Sequence, residues 1–161
     1  MLVSFPARLA EPSVFQTFHD FVDLQTSESL QFIDITEEVR VCVAASGIRS
    51  GVVHVQSQHT TAAILINEHE PLLLEDLKRT LERLAPRTHA YDHDNFDVRT
   101  VNLTPDEKPN GHAHCKALFL RSSEAIHVVN GELQLGTWQR IFFLELDCAR
   151  KRKVSILTMG C

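Results

Sequence analysis

Apolar and polar positions along the chain change period several times, and each change marks an element. Phe18-His-Asp-Phe-Val-Asp-Leu24 suits an early strand within 17–27. Phe32-Ile-Asp-Ile35 leads to Thr36, a hydroxyl suited to an N-cap, followed by Glu37 and Glu38 where carboxylates complement a helix dipole. With Val39, Val43 and Ala44 at helical spacing and Gly47 as a stop, this predicts a helix over 36–46. Gly51–Gln58 alternates as a strand does, and Thr60-Thr61 with Ala62–Ile66 reads as further extended, buried chain. Pro71 opens the clearest amphipathic helix, 71–84, with Leu73, Leu74, Leu77, Leu81 and Leu84 along one stripe and Pro86 beyond it. Residues 86–110 are polar and carry little periodic signal, a long loop of the kind that is often functional. A third helix fits 111–121. Asn130-Gly131 between Ala125–Val129 and Glu132–Leu135 is a strong hairpin signal. Ile141–Leu146 and Val154–Thr158 are expected to pair across Arg150-Lys-Arg-Lys153, a basic cluster that could bind an anion but reads first as a solvated turn. This order predicts an α+β fold, a mainly antiparallel sheet packed with a few helices, in a single domain over 1–161 with an irregular arm at 1–14.

Composition narrows the picture modestly. With 161 residues, 43% of them hydrophobic, the chain can bury one sizeable core. A net charge of −5 argues against nucleic acid or an acidic membrane surface as the main partner. No signal peptide and no spanning-length apolar run are visible, so a cytoplasmic protein with no membrane partner is expected. Cys42, Cys115, Cys148 and Cys161 are scattered without a CxxC pair, which suggests reduced thiols and speaks against a four-cysteine zinc site. Cys115 is expected to be packed.

The nine histidines are the compositional oddity, and their clustering carries the chemistry. His59 lies where a strand pattern breaks, His93 in the long polar loop, and His112 and His114 at a helix start. Three imidazoles from separate segments are what a catalytic metal site needs, with a position left open for water or substrate. Asp92, Asp94, Glu68 and Glu70 are carboxylates able to orient a ring or act as base. Each histidine alone reads as readily as a solvated or hydrogen-bonded ring. Asn67-Glu68-His69-Glu70 before a helix also reads as a capping device. No hydrolase elbow, dinucleotide or phosphate-loop motif is present.

Gln58-His59-Thr60-Thr61-Ala62-Ala63, Ile66-Asn67-Glu68, Tyr91-x-His93, Asn110-x-x-x-His114-x-Lys116-Ala117 and Leu135-Gly-Thr-Trp-Gln139 together resemble the YjbQ-like family, over residues 50–158. The resemblance implies an α+β fold around an antiparallel sheet and a homotrimer. It implies a divalent metal, zinc-like or magnesium, on His59, His93 and His114, with Asn67, Glu68 and Asn110 as catalytic neighbours and His112 as a bystander. It also implies a secondary thiamine-phosphate synthase activity, in which an aminopyrimidine diphosphate is joined to a thiazole phosphate. Lys116, Arg121 and Arg140 are the positive groups nominated for such phosphorylated small molecules. The sequence leaves open a transferase, a metal-dependent hydrolase at the same histidines, or a non-catalytic binder of metabolite or metal. Cys115 and Arg121 stand where relatives of this type carry other residues, and Cys148 replaces a glycine.

Overall fold

Alternation along the strands sorts the chain into two antiparallel sheets. The computed structural model describes residues 14–161, so nearly all of the expected N-terminal arm lies outside the described residues. The elements are β1 (Gln16–Gln25), β2 (Gln31–Asp34), α1 (Thr36–Ser46), β3 (Ser50–Ser57), β4 (Ala62–Glu68), α2 (Pro71–Leu84), α3 (Gly111–Ala117), β5 (Ser123–Val129), β6 (Glu132–Leu133), β7 (Gln139–Glu145) and β8 (Lys151–Gly160), with one 3-10 turn at Asp92–Asp94. The larger sheet has the order β1-β8-β3-β5-β6 and the smaller one β2-β7-β4. Every strand pair is antiparallel. The α+β expectation holds.

The smaller sheet is the middle layer. Ile64, Ile141 and Phe143 point to one core with Val53, Val55, Ile126, Val154 and Ile156 of the larger sheet and Val39 and Val43 of α1. Ala63, Leu144 and Leu146 point the other way, to Leu81 of α2 and Ala113 of α3. Burial on both faces explains why Ala62–Ile66 and Ile141–Leu144 are continuous apolar runs rather than alternating ones.

Local chemistry sets the boundaries. Both long helices keep their predicted limits. Asp34, however, supplies the α1 cap by accepting from the Thr36 amide at 3.0 Å, while the Thr36 hydroxyl accepts the buried Ile141 amide at 2.9 Å. Glu70 caps α2, its carboxylate accepting from the Leu72 and Leu73 amides at 2.9 and 2.7 Å. The hairpin forms as predicted, with Asn130 and Gly131 at φ of 57° and 81°. Gly131→Ala should therefore cost about 1 kcal/mol of stability, read from the denaturant midpoint.

Four expectations are corrected. α3 ends at Ala117 rather than at 121, because the amides of Phe119 and Leu120 turn back onto the carbonyls of Lys116 and Ala117. Thr60-Thr61 is a turn, not strand. β7 and β8 do not pair: β7 lies between β2 and β4, while β8 lies between β1 and β3. The basic segment between them is not a solvated turn either. β8 begins at Lys151 and alternates from there, so Arg152 points inward with Val154, Ile156 and Thr158.

Candidate functional site

Two connections pass between the sheets at the same end of the molecule. Residues 58–61 carry the chain from β3 to β4, and residues 146–150 carry it from β7 back to β8. At this seam, between those connections and the 93–114 region, lies a pocket of about 390 Å³. That volume is within the range of small-molecule sites. His59, His93, His114 and Asn110 all line it. The three segments singled out in the sequence therefore do meet.

His93 and His114 are brought together by a cap that spans the long loop. Asp94 Oδ1 accepts from the backbone amides of Asn110 and Gly111, both at 2.8 Å, and so ties the 3-10 turn to the start of α3. Asp94 thus acts as a helix cap rather than as the ring orienter expected. Gly111 permits the approach, since a Cβ there would stand 2.5 Å from Tyr91 Cβ. The two rings face each other at 4.6 Å between centroids, inclined at 61°. Among the described residues, buried His93 Nε2 has no hydrogen-bond partner, and neither has Asn110 Oδ1. Glu107 holds the other end of that amide by accepting from Asn110 Nδ2 at 3.4 Å. Burial lowers the His114 pKa below the ordinary histidine value, reinforced by His93 and the Arg99 guanidinium. This favours the neutral ring, the form that ligates metals or accepts protons.

The opposite wall is built on arginine. Arg152 is 6% exposed and Glu145 fully buried. They meet through two hydrogen bonds of 2.6 Å, from Arg152 Nε and Nη2 to the Glu145 carboxylate. Nη2 also donates to Thr61 at 3.1 Å. Arg150 Nη2 lies 2.7 Å from buried Asp147. Arg99 donates to the carbonyls of His93, Val101 and Asn102, which shapes the loop, and lies 3.6 Å from Glu107. His59 receives the Lys153 amide on Nε2 at 2.9 Å. Burial first, and then the charge of Arg152, lower its pKa as well.

Several nominated residues lie elsewhere. Ala62 pairs with Glu145 at the pocket end of β4, whereas Asn67 and Glu68 pair with Arg140 and Gln139 at the far end. Six residues of strand separate the two ends, roughly 20 Å. Within the chain, Glu68 and Arg140 line a different pocket with Asp34, His69 and the exposed indole of Trp138. Lys116 is fully buried and is a structural cation: it lies 3.0 Å from Glu82 and 3.4 Å from His112 Nδ1, and donates to the Ala85 carbonyl at 2.6 Å. His112 is buried beside it, outside the pocket lining. Arg121 is exposed and paired with Glu124. Cys115, expected to be packed, is exposed.

Sequence reading missed Arg99 and Glu107, and ranked the anion-binding reading of the basic cluster that holds Arg150 and Arg152 below that of a solvated turn. A signal for Arg152 was present in the period-2 run Arg152, Val154, Ile156, Thr158. Arg99 and Glu107 sit in aperiodic loop and gave none.

Together the fold and pocket define an α+β protein of two antiparallel sheets with a histidine- and arginine-lined pocket at their seam. The chain belongs to the YjbQ-like family: the model of the UPF0047 protein YjbQ-like family matches residues 20–161. Among similar curated proteins, a UPF0047 protein of Archaeoglobus fulgidus is 42% identical over 133 residues, covering 83% of this chain and 94% of that protein. Another, from Methanothermobacter thermautotrophicus, is 39% identical over 85% of this chain and 88% of its own length. Among solved structures, a protein of unknown function from Sulfolobus solfataricus has a TM-score of 0.82 at 32% identity, covering 92% of this chain and all of its own. A hypothetical protein from Aeropyrum pernix has a TM-score of 0.78 at 35% identity, over 89% of this chain and 98% of that one. Among the described residues, no helix is long and apolar enough to cross a membrane.

Proposed function

We propose that the seam pocket is the active site of a metal-assisted enzyme acting on phosphorylated small molecules. The observation that carries this reading is the facing pair His93 and His114, beside the buried, unpartnered His93 Nε2 and Asn110 Oδ1, in a pocket walled by arginines. Buried polar atoms without partners are costly and call for a ligand. Among the described residues no three His, Cys, Asp or Glu side chains form a metal cluster. The donors this reading assigns to a metal are the imidazoles of His93 and His114 and the amide oxygen of Asn110, which line the same pocket. His59 is not among them, because the lone pair of Nε2 is taken by the Lys153 amide. Imidazole donors favour a zinc-like ion over magnesium. Bound there, such an ion would supply Lewis acidity toward an oxygen of the substrate.

The chain's own groups supply the rest. Arg150 and Arg152 offer guanidinium edges to an anion, Glu107 orients Asn110, and neutral His114 is the proton acceptor when no metal is present. Hydrolysis and transfer of a phosphorylated group both suit this equipment. The transfer implied by the family resemblance, coupling an aminopyrimidine diphosphate to a thiazole phosphate, is the first assay to run. Purified wild type should retain about one zinc or cobalt per chain, His114→Ala and His93→Ala should retain little, and His59→Gln should resemble wild type. Full metal content in His114→Ala would remove the metal reading. Ligand binding without metal-dependent turnover of any phosphorylated precursor would leave a non-catalytic binder.

A further inference from the structure

The two walls of the pocket offer a ligand different things. One carries His93 Nε2 and Asn110 Oδ1, which have no hydrogen-bond partner among the described residues. The other is lined by Arg150, Arg152 and His59. Arg152 has Nε and Nη2 fixed by Glu145 and Thr61. Among the described residues its Nη1 has no hydrogen-bond partner, and the side chain lines the pocket. Arg150 is placed beside it: Nε donates to Cys148 Sγ at 3.4 Å, Nη2 stands 2.7 Å from Asp147 Oδ2 as an ion pair, and among the described residues Nη1 has no hydrogen-bond partner. His59 completes the wall. Because Nε2 accepts the Lys153 amide, a neutral ring must carry its proton on Nδ1. It therefore offers a donor and no free lone pair.

We propose that His59, Arg150 and Arg152 form an oxyanion-recognition subsite that takes the phosphoryl group of the substrate, with His59 serving as hydrogen-bond donor. This rests on the reading of the pocket as a site for phosphorylated compounds and says where in it the phosphoryl group is held. The formal charges of Arg150 and Arg152 are matched by Asp147 and Glu145, so recognition works through aimed N–H groups rather than through excess charge. Two N–H groups on each Nη1 and one on His59 Nδ1 give about five donors. That number suits the three terminal oxygens of a phosphoryl group better than the two of a carboxylate. The buried ion pair and Thr61 already hold the Arg152 guanidinium, so little ordering remains to be done on binding.

The test is calorimetric titration of full-length protein with inorganic phosphate and, separately, with acetate, alongside the cobalt spectrum of the His93–His114 pair. Wild type should bind phosphate in preference to acetate. His59→Gln and Arg150→Met, which leave the Glu145–Arg152 pair in place, should each weaken phosphate binding ~10-fold or more while cobalt still binds. The paired variant Glu145→Gln with Arg152→Gln should lose phosphate binding further. Unchanged phosphate affinity in both single variants would overturn the subsite. So would loss of cobalt in His59→Gln as complete as in His114→Ala, since His59 would then be a ligand. If cobalt fails to bind wild type while phosphate binding still depends on His59 and Arg150, the metal-assisted reading falls and the subsite stands.

Discussion

Arg152→Ala is expected to lower the unfolding free energy by about 3–5 kcal/mol, the loss typical when one partner of a buried ion pair is removed. Glu145 is fully buried, and its carboxylate also accepts from the Thr26 hydroxyl at 3.1 Å and the Asp147 amide at 3.0 Å. Alanine would leave that buried carboxylate without the guanidinium that its site is built to receive. Denaturant unfolding of wild type, Arg152→Ala and the neutral pair Glu145→Gln with Arg152→Gln measures the effect. The double variant should recover most of the loss, because no uncompensated charge remains. If the single variant were as stable as wild type, Glu145 would have to be satisfied by something other than Arg152.

Gly111→Ala should have the larger effect on the site. Its Cβ would meet Tyr91 Cβ at 2.5 Å and Cγ at 2.9 Å, with Asp94 Oδ1 at 3.3 Å. The 3-10 turn and α3 must then separate, which strains the hydrogen bonds from Asp94 to the Asn110 and Gly111 amides. Overpacking of this kind costs about 1–3 kcal/mol of stability. It also moves His93 away from His114. Metal affinity should fall 10- to 100-fold, about the penalty for losing an orienting contact around a metal ligand. Cobalt titration checks this; unchanged affinity with reduced stability would show that the turn and helix are held in place by other contacts.

Much of this was legible where a single period governed a segment. Helices 36–46 and 71–84 and the Asn130-Gly131 hairpin follow from local caps, stripes and turn chemistry. The pairing of β7 was not legible, because its apolar run is buried on both faces and does not encode a neighbour. The pocket was half legible. His59, His93, His114 and Asn110 stood out by type and motif and do converge. Glu68 stood out by the same kind of signal, yet strand length carries it to the other end of β4. Arg152 was hidden by its basic neighbours, since Lys151 and Lys153 point to solvent and made the segment look like a turn. The function assigned to His59 could not be settled by residue type either, since a backbone amide 94 positions away decides which nitrogen is free.

The seam has a bearing on how the molecule opens. Consecutive strands β7 and β8 belong to different sheets, yet Glu145 at the end of one grips Arg152 near the start of the other. Neither sheet can loosen at that end without breaking the grip and dispersing the donors beside His59. Slow amide exchange should therefore rise and fall together in β4, β7 and β8, as one cooperative unit. Phosphate held at the seam should slow exchange in both sheets at once, including strands that it does not touch.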